Sequence, residues 1–294
     1  MKKPIHKRPL IWVLAFLILV GLIVSKIIMP EEFLEAQKLG ETFAENFPER
    51  IAIEEGVNRV EVGSGTKGTI FLIHGSPGHW QDFARYLTDA ELTNHFRLVA
   101  PDRPGYGDTF PGVAVGSMKK QAELLMQLTE GRPRPWIWAG HSFGTPIIAR
   151  LAMDHPDHVD GLVFLAGAMS PEFEPQRWFH KLGNQSWIRR FLPEEIDVSN
   201  QEAMAFAAEF EAMQEDWERI VCPTLIVHGK KDWLAKYGHV GFAREKMTNA
   251  RLEVVTLEEA GHLIIWDQYE TIRKSLLRMS EWLTESNDQG SHLD

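Results

Sequence analysis

Two periodicities alternate along most of this chain. Short apolar runs recur at Arg59 to Val62, Thr69 to Ile73, Arg97 to Ala100, Pro135 to Ala139, Gly161 to Ala166, Thr224 to Val227 and Leu252 to Thr256, and their length and turn-forming flanks predict β-strands. Between them, apolar residues repeat every three or four positions in Gln81 to Asp89, Ser117 to Glu130, Phe143 to Met153, Gly241 to Thr248 and Trp266 to Glu285, which predicts amphipathic helices. The last is the clearest, with Tyr269, Ile272, Leu276, Met279 and Leu283 in one stripe. Thr69 to Ile73 is a continuous run, as in a strand buried on both faces of a parallel sheet. Strands alternating with helices predict an α/β fold, a mostly parallel sheet with helices on both faces.

Three segments depart from this alternation. Lys2, Lys3, Lys7 and Arg8 precede an uncharged run from Leu10 to Val24, which continues through Lys26 to Met29. Counted to Met29 the run is long enough to span a hydrocarbon core of about 30 Å if Lys26 snorkels. Residues 1–29 therefore read as a signal anchor. The basic flank before the run and Glu31, Glu32 and Glu35 after it place the N-terminus in the cytoplasm and export the remainder, across an inner membrane if the source is bacterial. The alternative is a secreted protein released by signal cleavage, although no small-x-small cleavage site follows. In the linker, residues 30–50, Phe33, Ala36, Gly40, Phe43 and Phe47 predict an amphipathic helix ended by Pro48, lying along either the membrane or the domain.

The third departure is 170–217, too long for a loop and rich in Trp178, Phe179, Trp187, Phe191, Phe206 and Phe210. Ala203, Phe206, Phe210, Met213 and Trp217 share a helical face, so this segment is expected to be a helical cap. The core is then 51–169 and 218–286, followed by a flexible tail at 287–294.

Composition and charge add exclusions. The net charge is -10, and because the first 28 residues hold five Lys/Arg and no acid, the remainder carries 26 basic and 41 acidic residues. An acidic body argues against nucleic acid as a partner. Cys222 is the single cysteine, so an intrachain disulfide or cysteine metal cluster is ruled out. The sequence contains no zinc or nucleotide-binding motif, and neither a cofactor nor a metal is expected. His155 and His158 sit at a predicted helix end and are read as solvated. Asn184-Gln185-Ser186 would accept a glycan only in a eukaryotic secretory pathway.

The candidate chemistry centres on Gly140-His141-Ser142-Phe143-Gly144, between a predicted strand and a predicted helix. Glycines two before and two after let the backbone turn sharply enough to expose the serine. Together with His74-Gly75-Ser76-Pro77-Gly78, Asp102-Arg103-Pro104-Gly105-Tyr106-Gly107, Gly229-Lys230-Lys231-Asp232 and Gly261-His262, the chain from about residue 57 to 285 resembles the α/β-hydrolase family. That resemblance implies an eight-stranded type of sheet with the cap inserted after its sixth strand. It also implies a catalytic set in the order Ser142, Asp232, His262.

The chemistry requires these types. Serine needs a base during attack, and the imidazole of His262 can take and return the proton. A carboxylate on the other ring nitrogen fixes the tautomer, which Asp232 could provide from the turn after its strand. Asp102 is the competitor, and the resemblance assigns it to a structural turn. The backbone N–H of Phe143 supplies one oxyanion donor, and the resemblance implies the N–H of Ser76 as the second. His228 is read as structural. His79, Trp178 and Phe206 are candidate substrate-binding residues.

A serine at the elbow disfavours the epoxide-opening and dehalogenating branches of the family, which use aspartate. The expected function is a membrane-anchored serine hydrolase cleaving a carboxylic ester, with an apolar or lipid-like acyl part, through an acyl-enzyme. Amidase or aminopeptidase, C–C bond hydrolase and haloperoxidase-like readings share the triad, and a catalytically silent binding module is the non-enzyme alternative. Against the aminopeptidase, the loop at His74 lacks a further glycine, and the cap sequence offers no identifiable acidic amine-binding pair.

Overall fold

The computed structural model describes residues 31–174 and 178–290. The expected anchor, residues 1–29, lies outside the described residues. Among those described, no helix is long and apolar enough to cross a membrane.

The described residues begin with helix α1 (Glu31–Asn46). Glu31 and Glu32 in its first turn complement the helix dipole, and the chain leaves the helix just before Pro48. Its apolar face packs on the domain. Ala36, Gly40 and Phe43 are buried, Phe33 meets Trp266 edge-on at 5.1 Å, and a Cβ at Gly40 would stand 2.6 Å from Gln81 Cγ.

Eight strands follow: β1 (Ile51–Glu54), β2 (Val57–Val62), β3 (Thr69–Ile73), β4 (Arg97–Pro101), β5 (Trp136–His141), β6 (Gly161–Leu165), β7 (Thr224–Gly229) and β8 (Leu252–Leu257). They form one sheet in the order β1-β2-β4-β3-β5-β6-β7-β8, with β1–β2 and β2–β4 antiparallel and every other pair parallel. Strand β1 escapes the sequence pattern because its apolar run is only three residues, Ile51-Ala52-Ile53, and all four of its residues are half-exposed or exposed.

Helices α2 (Ala84–Leu87), α3 (Ala90–His95), α4 (Met118–Met126) and α5 (Gly144–Asp154) lie between the earlier strands. The helix expected over Gln81 to Asp89 is instead a 3-10 turn at Trp80–Phe83 followed by α2; Asp89 then caps α3 by accepting from Leu92 N at 2.8 Å. Later in the chain α9 (Gly238–Lys246), α10 (Ile264–Asp267) and α11 (Tyr269–Gly290) complete the core, with the expected last helix split at Gln268 and continuing beyond 287.

Alternate residues of the strands feed two apolar layers. Ile70, Leu72, Ile137 and Leu165 face α1 and α11, joined there by Leu276 and Trp282. Phe71, Ile73, Trp138 and Phe164 face the other way, with Ile147 and Trp217. Phe71 stacks on Trp138 at 4.0 Å between centroids.

The cap between β6 and β7 is helical, as expected: α6 (Trp178–Gly183), α7 (Ser186–Arg189) and the 20-residue α8 (Glu194–Met213). The predicted face docks on the core, with Phe210, Met213 and Trp217 buried in the second apolar layer. Burial on this scale contributes roughly 2 to 3 kcal/mol for a ring such as that of Phe210.

Register places the chemistry. Ile73 pairs with Gly140, His141 with Leu165, Leu165 with Val227 and Gly229 with Leu257. The loops at Gly75, Ser142, Asp232 and His262 therefore all leave from the carboxyl edge of the parallel strands, where open α/β sheets bind ligands.

Candidate active site

At the end of β5 the backbone turns into α5 within three residues, and Ser142 occupies the left-handed region at φ 51°. A Cβ at Gly140 would approach Gly144 C to 2.7 Å, and one at Gly144 would approach Ile73 O to 2.4 Å. Glycine is therefore required on both sides of the serine. Ser142 N donates to Leu165 O at 2.9 Å, which anchors the strained residue to the neighbouring strand.

His262 Nε2 lies 2.9 Å from Ser142 Oγ, and its Nδ1 lies 2.8 Å from Asp232 Oδ2. The carboxylate can only accept, so Nδ1 carries the proton and Nε2 presents a lone pair to the hydroxyl. Asp232 is itself held in place. Its Oδ1 accepts from Leu234 N and Ala235 N, each at 2.9 Å, and both Asp232 and His262 are buried. This arrangement can deprotonate Ser142 during attack and stabilise the imidazolium that results.

Two neighbouring histidines, His141 and His228, remain neutral. Burial, with the charge of His262 second, pushes His141 down to about 3, and its Nε2 donates to His262 O at 3.2 Å. His228 is also lowered by burial. It donates from Nε2 to Ala235 O at 2.8 Å, the structural role expected of it.

The oxyanion candidates flank the nucleophile. Phe143 opens α5, where first-turn N–H groups lack helical partners. The loop after β3 closes on the serine from the other side: a Cβ at Gly75 would stand 3.1 Å from Ser142 Cβ. Asp102 is turned away from His262. Its Oδ2 accepts from Asn58 Nδ2 at 2.7 Å and its Oδ1 from Trp80 N at 3.0 Å, which is the structural turn expected.

Ser142 and His262 form part of the lining of a cleft of about 500 Å³, within the usual range for small-molecule sites. Of the candidate substrate-binding residues, Phe206, stacked on Phe143 at 4.2 Å, lines it, and so does His79, whose Nε2 lies 3.0 Å from Glu195 Oε1. Trp178 does not. It begins α6 and is 74% exposed, while the cap contributes His180 of α6 and Ser199, Ala203 and Phe206 of α8 to the lining.

Sequence reasoning missed the opposite wall, where Phe33 and Gln37 of α1 join Trp266. The amphipathic spacing marked this helix as packed on something, without indicating the cleft. Also unforeseen are two cap carboxylates at the cleft, Glu174 and Glu195. His158 is half-buried, with its Nδ1 2.8 Å from Thr129 Oγ1 and its ring stacked on Trp136. Among the described residues no group of His, Cys, Asp and Glu could hold a metal ion.

A model of the alpha/beta hydrolase family matches residues 70–274. The chain belongs to this family. It is 34% identical over 116 residues to a pimeloyl-(acyl-carrier protein) methyl ester esterase of Vibrio cholerae, a match covering 38% of this chain and 41% of that protein. The chain aligns with well under two thirds of the length of such curated relatives. Among solved structures, a bacterial membrane phospholipase A superposes with a TM-score of 0.60 at 20% identity, covering 93% of this chain and 98% of that one. An esterase from Exiguobacterium antarcticum gives 0.59 at 21%, covering 79% and 98%. At these identities the structural likeness speaks for the fold.

Proposed function

We propose that this α/β-hydrolase is a serine ester hydrolase. Ser142 attacks the ester carbonyl, His262 takes the proton and delivers it to the departing alkoxide, and Asp232 orients His262 and stabilises its charge. The N–H groups of Phe143 and Ser76 receive the oxyanion. Water then attacks the acyl-enzyme by the same route in reverse. The observation that carries this reading is the hydrogen-bonded line from Ser142 through His262 to Asp232, 2.9 and 2.8 Å, at the foot of an apolar-walled cleft. Phe33, Phe206 and Trp266 suit an apolar acyl part, and the esterase named among the relatives favours an ester.

A second reading has one observation in its favour. Glu174 and Glu195 put two carboxylates at the cleft, as recognition of a substrate amine would require, although His239 and His79 already engage them at 3.3 and 3.0 Å. Kinetics on nitrophenyl esters of graded chain length, set beside aminoacyl anilides, decide between the two. Ester turnover rising with chain length supports the first reading, and preferential anilide cleavage overturns it.

We further propose that residues 1–29 anchor the protein in a membrane with the N-terminus cytoplasmic and the catalytic domain exported. The basic flank followed by an uncharged run supports this reading. Deletion of residues 1–29 is expected to release the protein from membranes; unchanged retention would refute the anchor.

A further inference from the structure

Glu202 is a carboxylate on the cap helix α8 with no exposed side-chain surface, and it faces the equally buried Arg103 of the loop after β4. Its Oε1 accepts from Arg103 Nη1 at 2.7 Å and Gln121 Nε2 at 3.0 Å. Its Oε2 accepts from Arg103 Nη2 at 3.2 Å, Tyr106 OH at 2.7 Å and Ser76 Oγ at 2.7 Å.

The guanidinium has a second set of partners. Arg103 Nη2 donates to Gly75 O at 2.7 Å, and Nε donates to His74 O at 3.1 Å. Burial holds His74 well below its ordinary value, so the ring is neutral; it donates from Nδ1 to Gly75 O at 2.8 Å and accepts from Arg103 N at 2.8 Å. Both carbonyls that immediately precede Ser76 are thus fixed by Arg103, and the Ser76 hydroxyl is fixed by Glu202.

Helix geometry adds the remaining link. Ser199, Glu202, Ala203 and Phe206 fall at intervals of three and four, on one face of α8. Ser199, Ala203 and Phe206 line the cleft, while Glu202 reaches past them to the loop. The helix against which an acyl group would rest is the same helix that holds the oxyanion loop.

We propose that Glu202 and Arg103 are positioning residues that set the Ser76 N–H for the oxyanion, so that α8 couples the acyl group in the cleft to the rate of attack on its carbonyl. This rests on the serine hydrolase reading of the site. A buried ion pair adds little stability over well-packed apolar residues of similar size, but it imposes strict geometry. The loop needs that geometry, because a donor displaced from its place loses most of its effect on the oxyanion.

The test uses the full-length protein in detergent, nitrophenyl acetate and octanoate, and the rate of Ser142 labelling by a fluorophosphonate. Two variants are compared with wild type: Arg103→Met combined with Glu202→Met, and Glu202→Gln alone. The double variant leaves no charge unpaired, but Gln121, Tyr106, Ser76 and the His74 and Gly75 carbonyls each lose a partner, so its melting temperature is expected to fall while the protein stays folded at the assay temperature. Its kcat is expected to fall by roughly tenfold to a hundredfold with KM changed less than about threefold, and labelling should slow in parallel. The octanoate-to-acetate ratio of kcat should move toward unity.

A double variant that is folded at the assay temperature and keeps the wild-type kcat overturns the proposal. If the double variant fails to fold, Glu202→Gln assayed below its own melting point takes its place, and an unchanged kcat there overturns the proposal equally. The hydrolase reading fails separately: it falls if wild type is not labelled at all, whereas this inference falls if wild type is labelled and the folded double variant, or Glu202→Gln in its place, is labelled as fast.

Discussion

Replacing Asp232 by Asn should stop the chemistry while leaving the fold in place. Asp232 Oδ1 accepts from Leu234 N and Ala235 N at 2.9 Å each, so the amide oxygen of an asparagine would stay on that side. Its NH2 would then stand where Oδ2 now lies 2.8 Å from His262 Nδ1. Two donors cannot face each other at that distance, so the ring must adopt the other tautomer and turn an N–H toward Ser142 Oγ. A protonated Nε2 cannot accept the serine proton. The expected loss in kcat is roughly 10³- to 10⁴-fold, or about 4 to 5.5 kcal/mol of transition-state stabilisation at 1.36 kcal/mol per decade.

Stability should hardly change, since the side chains match in volume, no Lys or Arg pairs with Asp232 among the described residues, and both backbone donors keep their acceptor. The assay is steady-state turnover of a nitrophenyl ester beside a thermal melt. A folded Asp232→Asn protein retaining more than a tenth of wild-type kcat would refute the assigned role of Asp232.

Three further outcomes follow from particular contacts. Burial above all, with the Asp102 charge adding, pushes the Asp82 carboxyl from 3.8 up to about 7; its stabilising contribution is whole below about pH 4 and is lost as pH rises through 7. Asp82→Asn should therefore gain stability relative to wild type at pH 8 over pH 5 in urea melts, and a difference independent of pH would contradict this. Phe206→Ala, which removes the ring stacked on Phe143, should cut the preference for octanoate over acetate in kcat/KM by about tenfold. Gly75→Ala would bring a methyl group to 3.1 Å from Ser142 Cβ and 3.3 Å from His141 Nδ1, and the resulting loop shift should lower kcat by about tenfold with KM little changed.

Ser142, Asp232 and His262 were legible as candidates through the family resemblance, and the structure brings them together because each follows a strand and strands in a parallel sheet deliver their carboxyl ends to one edge. Thr69 to Ile73 and Trp136 to Ala139 were equally legible, since a strand buried on both faces leaves an uninterrupted apolar run. The rest depends on distant neighbours. Trp178 is an aromatic on an amphipathic cap, and its sequence does not say which side of the cap it occupies. Glu202 would be assigned to solvent by its charge; its burial depends on Arg103, 99 residues away, and on Tyr106 and Gln121. Phe33 and Gln37 carry an ordinary helical spacing, and only the docked α1 turns that face into a wall of the cleft.

The central claim is that Ser142 is a nucleophile activated by His262. Intact-protein mass spectrometry after treatment with a fluorophosphonate tests it most directly. The account predicts one adduct per folded chain, located on Ser142 by peptide mapping and abolished both by Ser142→Ala and by prior unfolding. Absence of an adduct on the folded wild type, or an equal adduct on Ser142→Ala, would contradict it.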